Sequence, residues 1–383
     1  MIAVHVHWDE TKAAELRELW ATHVEAPARA ANLPVPQLVL LASPYRRLFM
    51  PIARYVDELR QRSDGTVAVI NVPWYSSAGC VRDNAAMPRT FEAHRSRETK
   101  LGELTIRRAL PVRERRLVGP WCFLDRYGPL SFSDSKPMDV APHPHIGLQT
   151  VSWLLEGEVV HHDSIGGEGL VRPGGVNVMT AGRGIAHVEE TPRRNVGRLS
   201  GLQLWIALPD ANRNSAPSFQ SIAEVPRLEL RGGVAQLFMG TMDDAASQAD
   251  SYSDGIGVDA GVHRGETLVL PLRAEREHAV FLMDGDAGIE NEPLAADTLY
   301  YLGTDRTELA LRSSAGARVL LIGGTPFREP VLMWWNFVAR TPEEIAAART
   351  DWEEGRFGEV PYDGPRIPAP PLSRISPPAN PAS

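Results

Sequence analysis

The first part of the chain alternates short apolar runs with longer amphipathic stretches. The apolar runs cover residues 2–6, 37–42 and 66–72, and the stretches with apolar residues at helical spacing cover residues 11–23 and 47–62. Strands that alternate with amphipathic helices are typical of a parallel sheet with crossover helices. The pattern therefore predicts a small α/β domain with a short parallel sheet over residues 1–78.

The pattern changes after a polar connector. Residues 79–100 have no apolar period and are rich in charged residues, so we predict a linker there. So many short β-type runs follow it that a sandwich or barrel is expected, and one small barrel would use only about half of them. We predict a mainly β fold with two barrels, at residues 101–210 and 211–340. The runs that carry this prediction are 150–155, 157–163, 177–180, 202–208, 234–239, 267–272, 278–283, 299–302 and 319–322.

A helix signal and a proline-rich segment occupy residues 341–383. Pro342 is followed by two glutamates, and both proline and acidic residues are favoured in the first turn of a helix. We predict a helix from Pro342 to about Glu354. The segment from Pro361 to Pro381 is predicted to be a loosely held tail.

Composition and charge narrow the set of partners. The formal net charge is -8 at pH 7, so no overall basic field favours nucleic acid or an anionic membrane surface. No apolar run approaches the ~20 residues that span a bilayer, and residues 1–10 do not show the basic and apolar pattern of a leader, so we expect neither membrane insertion nor secretion. The two cysteines, Cys80 and Cys122, lie outside any CxxC pattern, which argues against disulfides and thiolate metal sites. We expect a cytoplasmic protein that binds neither nucleic acid nor membrane, with Cys122 as a small buried hydrophobe.

Two pairs of residues carry the candidate chemistry, His143-Pro144-His145 and His187-Val188-Glu189. Side chains two residues apart on a strand point to the same side, so each pair can face one cavity. Imidazole and carboxylate together suit iron, manganese, nickel, copper or zinc better than magnesium or calcium. We predict one mononuclear divalent metal held by His143, His145, His187 and Glu189. The simpler alternative is that the four groups only form hydrogen bonds inside a barrel.

Other polar and aromatic residues have two interpretations. His161 and His162 are expected either to form structural hydrogen bonds or to support a metal ligand or substrate. His263 and His278 lack a paired ligand, so the second barrel is predicted to bind no metal. Four tryptophans could contact a planar substrate, although tryptophans in β-rich proteins more often fill cores. They are Trp153, Trp205, Trp334 and Trp335.

The sequence around the two pairs resembles the pirin family of the cupin superfamily. The family signature is an HPH motif, a strand ending in LLEG, a histidine with an Asp-Ser turn, a PG turn, and MTAGRGI before HxE. In this chain these are His143-Pro144-His145, Leu154-Leu155-Glu156-Gly157, His161 with Asp163-Ser164, Pro173-Gly174, and Met179 to Ile185 before His187-Val188-Glu189. The resemblance continues to Trp335-Asn336-Phe337 and covers residues 101–360.

This resemblance implies a bicupin with one mononuclear metal, usually iron, in the first barrel, held by the four residues named above. Some pirins oxidise quercetin with dioxygen, and others are regulatory binding proteins. We expect Fe(II), with Mn, Ni, Cu or Zn as alternatives, and a dioxygenase that acts on a flavonol or a related small aromatic compound. Glu189 would be a lasting ligand or a carboxylate that loosens to accept the substrate proton. The alternative function is a redox-responsive, metal-dependent regulator that binds a protein partner.

The chain departs from the family pattern just after the first histidine pair. Where the family commonly has Arg-Gly-Phe-Glu, this chain has Ile146-Gly147-Leu148-Gln149. The change removes one cation and one anion close to the ligands. We therefore expect an altered substrate preference or altered tuning of the metal.

A second resemblance covers residues 1–75. Ser43-Pro44-Tyr45-Arg46 and Val67-Ala68-Val69-Ile70 are similar to the soluble α/β tail that follows the membrane domain in some amino-acid permeases. The resemblance implies a sensing or interaction module in front of the two barrels.

Overall fold

The structure is a computed structural model that describes residues 91–101, 104–133, 138–290 and 292–372, together with three strands before them. The chain divides into two compact units, residues 1–85 and residues 86–383. The strands of the first unit are β1 (Ile2–Val6), β2 (Leu38–Ala42) and β3 (Ala68–Ile70).

These three strands form a parallel sheet in the order β2-β1-β3. Ile2 on the central strand pairs with Leu38 on one side and Ala68 on the other. The short parallel sheet predicted from the apolar runs is therefore confirmed. The two helices predicted at 11–23 and 47–62 lie outside the described residues.

The second unit is built almost entirely from strands. Its first part contains β4 (Glu92–Arg95), β5 (Arg97–Leu101), β6 (Leu104–Leu110), β7 (Trp121–Ser131), β8 (Asp139–His145), β9 (Leu148–Glu156), β10 (Val159–Asp163), β11 (Glu168–Val171), β12 (Val176–Thr180), β13 (Ile185–Glu190), β14 (Arg198–Ala207) and β15 (Ser218–Ile222). Its second part contains β16 (Arg227–Leu230), β17 (Gly233–Met239), β18 (Thr241–Met242), β19 (Ala245–Ala246), β20 (Gly255–Val262), β21 (Thr267–Pro271), β22 (Glu277–Gly285), β23 (Gly288–Ile289), β24 (Glu292–Pro293), β25 (Thr298–Gly303), β26 (Glu308–Arg312), β27 (Ala317–Gly324), β28 (Leu332–Trp334), β29 (Phe337–Ala339) and the helix α1 (Pro342–Glu353). Every run predicted as a barrel strand overlaps one of these strands.

Each barrel combines a seven-stranded and a four-stranded antiparallel sheet. In the first barrel the orders are β15-β12-β9-β14-β7-β6-β5 and β11-β10-β13-β8. In the second they are β16-β17-β20-β27-β22-β25-β4 and β21-β26-β23-β24. The predicted mainly β fold with two barrels is confirmed.

A shared apolar core joins the two barrels. Trp121 and Trp153 of the first barrel and Phe238 of the second are fully buried in one cluster, and the rings of Trp153 and Phe238 stack with centroids 5.0 Å apart. The indole N–H of Trp121 donates to the carbonyl oxygens of Ile256 and Gly323, at 3.1 and 3.0 Å. Buried apolar area and satisfied polar groups therefore act together at this interface.

The last part of the predicted linker is not a linker. Strand β4 joins the edge of the second barrel beside β25, and β5 joins the edge of the first barrel beside β6. Most residues of β4 are exposed, in the pattern of a sheet edge. Such a strand buries too few side chains to need alternating apolar residues. The sequence of residues 92–100 therefore has the polar pattern that is typical of a linker.

The C-terminal segment returns to the first barrel. The β28-β29 hairpin pairs with the residue that follows β8, through a bridge between Ile146 and Phe337. Helix α1 follows as predicted, with Thr341 as its N-cap, and it buries Ile345, Ala348 and Trp352. In the described part of the chain, no helix is long and apolar enough to cross a membrane.

The beginning of the proline-rich tail is held by hydrogen bonds, which corrects the prediction of a loose tail for residues 361–372. The backbone N–H of Ile367 donates to Pro142, and the carbonyl of Ile367 accepts the indole N–H of Trp352 at 2.8 Å. Tyr362 donates to Asp139 at 2.9 Å. Proline content alone does not reveal these partners, and two of them, Pro142 and Asp139, lie far away in the sequence.

Candidate metal centre

Three histidines meet on the sheet that contains β8 and β13. His143 and His187 are direct cross-strand partners, and His145 lies two residues further along β8. The ring centroids of His143 and His187 are 4.3 Å apart, and those of His145 and His187 are 5.0 Å apart. One nitrogen from each ring lies within 4.8 Å of the other two. The structure thus brings together three of the four residues predicted as ligands.

Backbone carbonyls fix the orientation of two of these rings. Nδ1 of His143 donates to the carbonyl oxygen of Ala141 at 2.9 Å, and Nδ1 of His145 donates to that of Asn336 at 3.0 Å. A carbonyl oxygen only accepts, so each Nδ1 carries the ring proton and each Nε2 keeps its lone pair. Both Nε2 atoms are therefore in the form that binds a metal.

The third ring, His187, is held by side chains. Its Nδ1 lies 3.2 Å from Nδ1 of His161, and Nε2 of His161 lies 3.2 Å from Oδ2 of Asp163. Nε2 of His187 is buried and has no hydrogen-bond partner among the described residues. An unpartnered buried nitrogen is unusual, and next to two other imidazoles it fits a metal ligand. The donor set suits a divalent transition metal.

Burial keeps the three imidazoles neutral. It lowers the pKa of His143 to about 4. It also lowers the pKa of His145 and of His187 well below the usual value, and the neighbouring histidines add to the effect. Because metals bind the neutral form, no proton has to leave these rings at neutral pH.

Glu189 lines the same cavity, but its carboxylate is not part of the three-histidine cluster. The side chain is buried, and its Oε1 accepts a hydrogen bond from Oγ of Ser152 at 2.9 Å. A register shift in β13 between His187 and Glu189 pairs Glu189 with Val140. Burial raises the pKa of Glu189, and His161 and Ser152 offset this only in part. Its role as a fourth ligand stays a prediction.

A cavity of about 390 Å³ opens onto the histidines and Glu189. Its aromatic lining consists of Phe123, Tyr127, Trp205 and Trp335. The rings of Phe123 and Trp205 are stacked with centroids 3.9 Å apart, and Trp205 meets the ring of His145 edge-on at 5.1 Å. Its size and aromatic lining are typical of a site for a small organic molecule.

Charged side chains also line this cavity. Arg108 forms a bidentate ion pair with Asp125 at 2.7 and 2.8 Å, and its guanidinium lies 4.4 Å from the centroid of the Phe123 ring. Arg97 is the cross-strand partner of Arg108, and Lys100 lies on the same strand as Arg97. The lining carries three cations and two carboxyl groups, those of Asp125 and Glu189, so its net formal charge of about +1 favours anionic or electron-rich ligands.

The two departures from the family pattern do not line the cavity. Gln149 is fully buried and donates to Oγ1 of Thr180 at 3.0 Å and to the carbonyl oxygen of Asp250 at 3.1 Å. Ile146 packs in the apolar cluster that contains Phe337. Neither side chain is placed to touch a substrate in the cavity, which does not support the expectation of a direct effect on substrate preference.

Several residues of the site were not identified from the sequence. Asn336 and Ile367 reach the cavity from the C-terminal segment. Ser152 is hydrogen-bonded to Glu189, and Asp163 is hydrogen-bonded to His161. The Trp335-Asn336-Phe337 motif was a signal for the first of these, whereas the sequence around Ile367 carried none. Of the four tryptophans considered as substrate contacts, Trp205 and Trp335 line the cavity and Trp153 fills the core.

Comparison with known proteins identifies the family. The Pirin family model matches residues 103–206, and the model of the pirin C-terminal cupin domain matches residues 257–358. A relative from Pseudomonas aeruginosa named "Putative quercetin 2,3-dioxygenase" is 43% identical over 274 residues, which cover 71% of this chain and 87% of the relative. The chain belongs to the pirin family. The resemblance seen in the sequence is confirmed.

Other pirins and a solved structure extend the comparison. A pirin-like protein of Caulobacter vibrioides is 36% identical over 269 residues, covering 68% of this chain and 92% of the relative. The crystal structure of quercetin 2,3-dioxygenase from Acinetobacter baumannii is 41% identical, with a TM-score of 0.71, and covers 74% of this chain and 96% of that one. The bicupin architecture is therefore shared with solved relatives.

The first unit has a separate match. Residues 1–83 match the model of the KimA potassium transporter C-terminal domain. The match agrees with the resemblance to the soluble tail of a transporter, although it names a potassium transporter rather than an amino-acid permease. This pirin therefore carries an additional module that precedes its two barrels in the sequence.

Proposed function

We propose that this pirin is an iron-dependent dioxygenase that acts on quercetin-type flavonols or related enolisable aromatic compounds. The observation that carries the proposal is the three buried, neutral imidazoles beside an aromatic-lined cavity. The proposal is also supported by the likeness to the structure of quercetin 2,3-dioxygenase from Acinetobacter baumannii, which is 41% identical.

The residues of the cavity have distinct roles in this proposal. An Fe(II) ion held by His143, His145, His187 and Glu189 would stabilise the negative charge of a deprotonated substrate hydroxyl and allow dioxygen to react beside it. Because the pKa of Glu189 is raised by burial, its carboxylate is a better base for the hydroxyl proton than an exposed carboxylate would be.

Binding and orientation come from the cavity lining. The stacked pair of Phe123 and Trp205 offers an aromatic surface against which a substrate ring can pack. Ser152 donates to Oε1 of Glu189, so that the other carboxylate oxygen is left to bind the metal or, once released from it, to accept the proton. The apolar side chains of the lining, which include Leu104 and Ile106, exclude water from the reacting ring.

The test is aerobic oxidation by protein loaded with Fe(II) under anaerobic conditions. We expect quercetin to be consumed with uptake of dioxygen, and we expect His143→Ala to abolish both. His263→Ala is the matched control, because His263 is exposed in the second barrel. A fully iron-loaded wild-type protein that consumes neither quercetin nor related hydroxylated aromatics would refute the proposed activity.

The second candidate is a redox-responsive regulator that binds a protein partner. The observation in its favour is the compact unit of residues 1–85, which lies outside the two pirin matches. The full-length protein would be used as bait under ferrous and ferric conditions. A partner that binds in only one of the two states supports regulation, and equal binding in both states refutes it.

A further inference from the structure

We propose that Asp163 and His161 are positioning residues, which fix the proton of His187 on Nδ1 and thereby keep its Nε2 free for the metal. The proposal rests on the metal site of the proposed function. It goes beyond that function by giving a role to two residues that do not line the cavity. The three side chains form a single line of hydrogen bonds, from Asp163 through His161 to His187.

The direction of this line is set by Asp163. Its Oδ1 accepts the backbone N–H groups of Ile165 and Gly167, at 3.0 and 2.7 Å, and its Oδ2 faces Nε2 of His161 at 3.2 Å. An ionised carboxylate only accepts hydrogen bonds, so Nε2 of His161 must carry the proton. In the neutral ring, Nδ1 of His161 is then left as an acceptor.

The same logic fixes the next ring. Nδ1 of His187 lies 3.2 Å from the accepting Nδ1 of His161, so it must donate. Its Nε2 then has a lone pair and no proton. This agrees with the finding that Nε2 of His187 is buried without a partner among the described residues. Backbone carbonyls do the same task for His143 and His145, whereas His187 depends on two side chains.

Burial and ring stacking restrict the orientation of the His161 side chain. His161 is 3% exposed, and its ring stacks on Phe219 with centroids 4.1 Å apart and an interplanar angle of 2°. Strand pairing places Asp163 opposite His187. The register of β10 and β13 therefore brings these side chains close together. A hydrogen-bonded partner of this kind typically changes metal affinity by about 10–100-fold when it is removed.

Asp163→Asn separates positioning from packing. The asparagine oxygen can keep the two backbone hydrogen bonds, which turns its NH₂ group towards Nε2 of His161. Since NH₂ donates, His161 would have to accept at Nε2 and donate from Nδ1, and His187 would be driven to carry its proton on Nε2. The substitution thus reverses the tautomers along the line without changing side-chain volume. His161→Phe keeps an aromatic ring beside Phe219 and removes both the acceptor at Nδ1 and the donor at Nε2.

The experiment measures tautomers and metal binding in the full-length protein. Nitrogen-15 NMR of the metal-free protein reports which nitrogen of His187 carries the proton, and titration with Co(II) followed by visible absorption reports affinity. We expect Asp163→Asn to move the proton to Nε2 and to weaken Co(II) binding by about 10–100-fold. His161→Phe should weaken binding over the same range. His162→Gln is the control, because His162 is adjacent in β10 and outside the line, and it should change affinity less than about twofold.

The outcomes distinguish this proposal from the proposed function. Wild-type protein that binds no Co(II) would overturn the metal site on which both depend. Wild-type protein that binds Co(II), with Asp163→Asn and His161→Phe binding equally well, would overturn the positioning role alone. Loss of Co(II) affinity in both variants supports the role even if quercetin is not a substrate. If Asp163→Asn does not fold, His161→Phe and the tautomer of His187 in the wild type decide the question.

Discussion

Gly147 links the metal centre to the C-terminal hairpin, and its replacement by alanine gives a quantitative test of that link. The residue has φ +66°, and a Cβ at this position would lie 2.0 Å from the carbonyl oxygen of Val338. The adjacent Ile146 accepts the backbone N–H of Val338 at 3.1 Å. Two residues earlier, Asn336 provides the carbonyl that orients His145. Gly147→Ala must therefore displace the hairpin residues around Val338, and with them the carbonyl of Asn336 that orients the predicted ligand His145.

Two contributions determine the loss of stability. A non-glycine residue in the left-handed region costs about 1–2 kcal/mol. Val338 must retreat by roughly 1 Å, which weakens the hydrogen bond from its backbone N–H to the carbonyl oxygen of Ile146 by about 1 kcal/mol. We expect the unfolding free energy to fall by about 2–3 kcal/mol, with a decrease in Tm of roughly 5–10 °C. Loss of the carbonyl partner of His145 should weaken metal binding by about 10–100-fold.

The control is Gly265→Ala. Gly265 also has positive φ, +76°, but a Cβ there would meet no atom within 4 Å. This variant carries the conformational cost of about 1–2 kcal/mol without the collision, and its metal affinity should equal that of the wild type. Thermal unfolding and Co(II) titration of both variants are the measurements. Equal behaviour of the two variants would refute the inferred coupling between the hairpin and His145.

Three further predictions concern other parts of the second unit. Ser152→Ala should lower kcat/KM for quercetin about 10-fold in an oxygen-uptake assay, because Glu189 loses the hydrogen bond that orients it; an unchanged value would contradict the role of Ser152. Burial raises the pKa of Cys122 to about 12, so in a Cys80→Ser background the thiol should react with an aromatic disulfide reagent only after unfolding, and rapid reaction of folded protein would show that it is accessible. Burial lowers the pKa of His278 to about 4, so the unfolded state gains its proton first as the pH falls, and stability present above about pH 6.5 is lost towards pH 4. In urea unfolding, His278→Gln should remove up to about 3 kcal/mol of that loss, and an unchanged pH dependence would exclude His278 as its source.

Every run predicted as a barrel strand overlaps a strand that buries at least one face, although β7 and β20 are equally buried and were not among the predicted runs. Runs such as 150–155 and 319–322 are apolar because they cross the shared core, and they appear in β9 and β27. Strands β4 and β5 could not be predicted in this way, since they lie at sheet edges with mostly exposed side chains. The hydrogen bonds of residues 361–372 to the first barrel were not predicted either, because the partners Pro142 and Asp139 lie more than 200 residues earlier.

The spacing of residues along the sequence was enough to predict the part of the site formed by the three histidines. Two histidines separated by one residue share a side of β8, and the antiparallel register places His187 opposite His143. The relation of Glu189 to these rings depends on a register shift within β13, which spacing in the sequence does not reveal. The contact between His161 and His187 depends on the pairing of β10 with β13. The sequence therefore left the role of His161 open.

Metal content measured directly on the protein tests the central claim. Protein would be loaded with Fe(II) without oxygen and desalted, and its iron-to-protein ratio would be determined by elemental analysis for the wild type and for His187→Ala. Thermal unfolding would confirm that the variant is folded. We predict one iron per wild-type chain and less than about a tenth of that in the variant, because the unpartnered Nε2 of His187 is the ligand that is lost. A wild-type protein that retains no iron, or a folded variant that retains a full equivalent, would contradict the assignment of the three-histidine cluster as the metal centre.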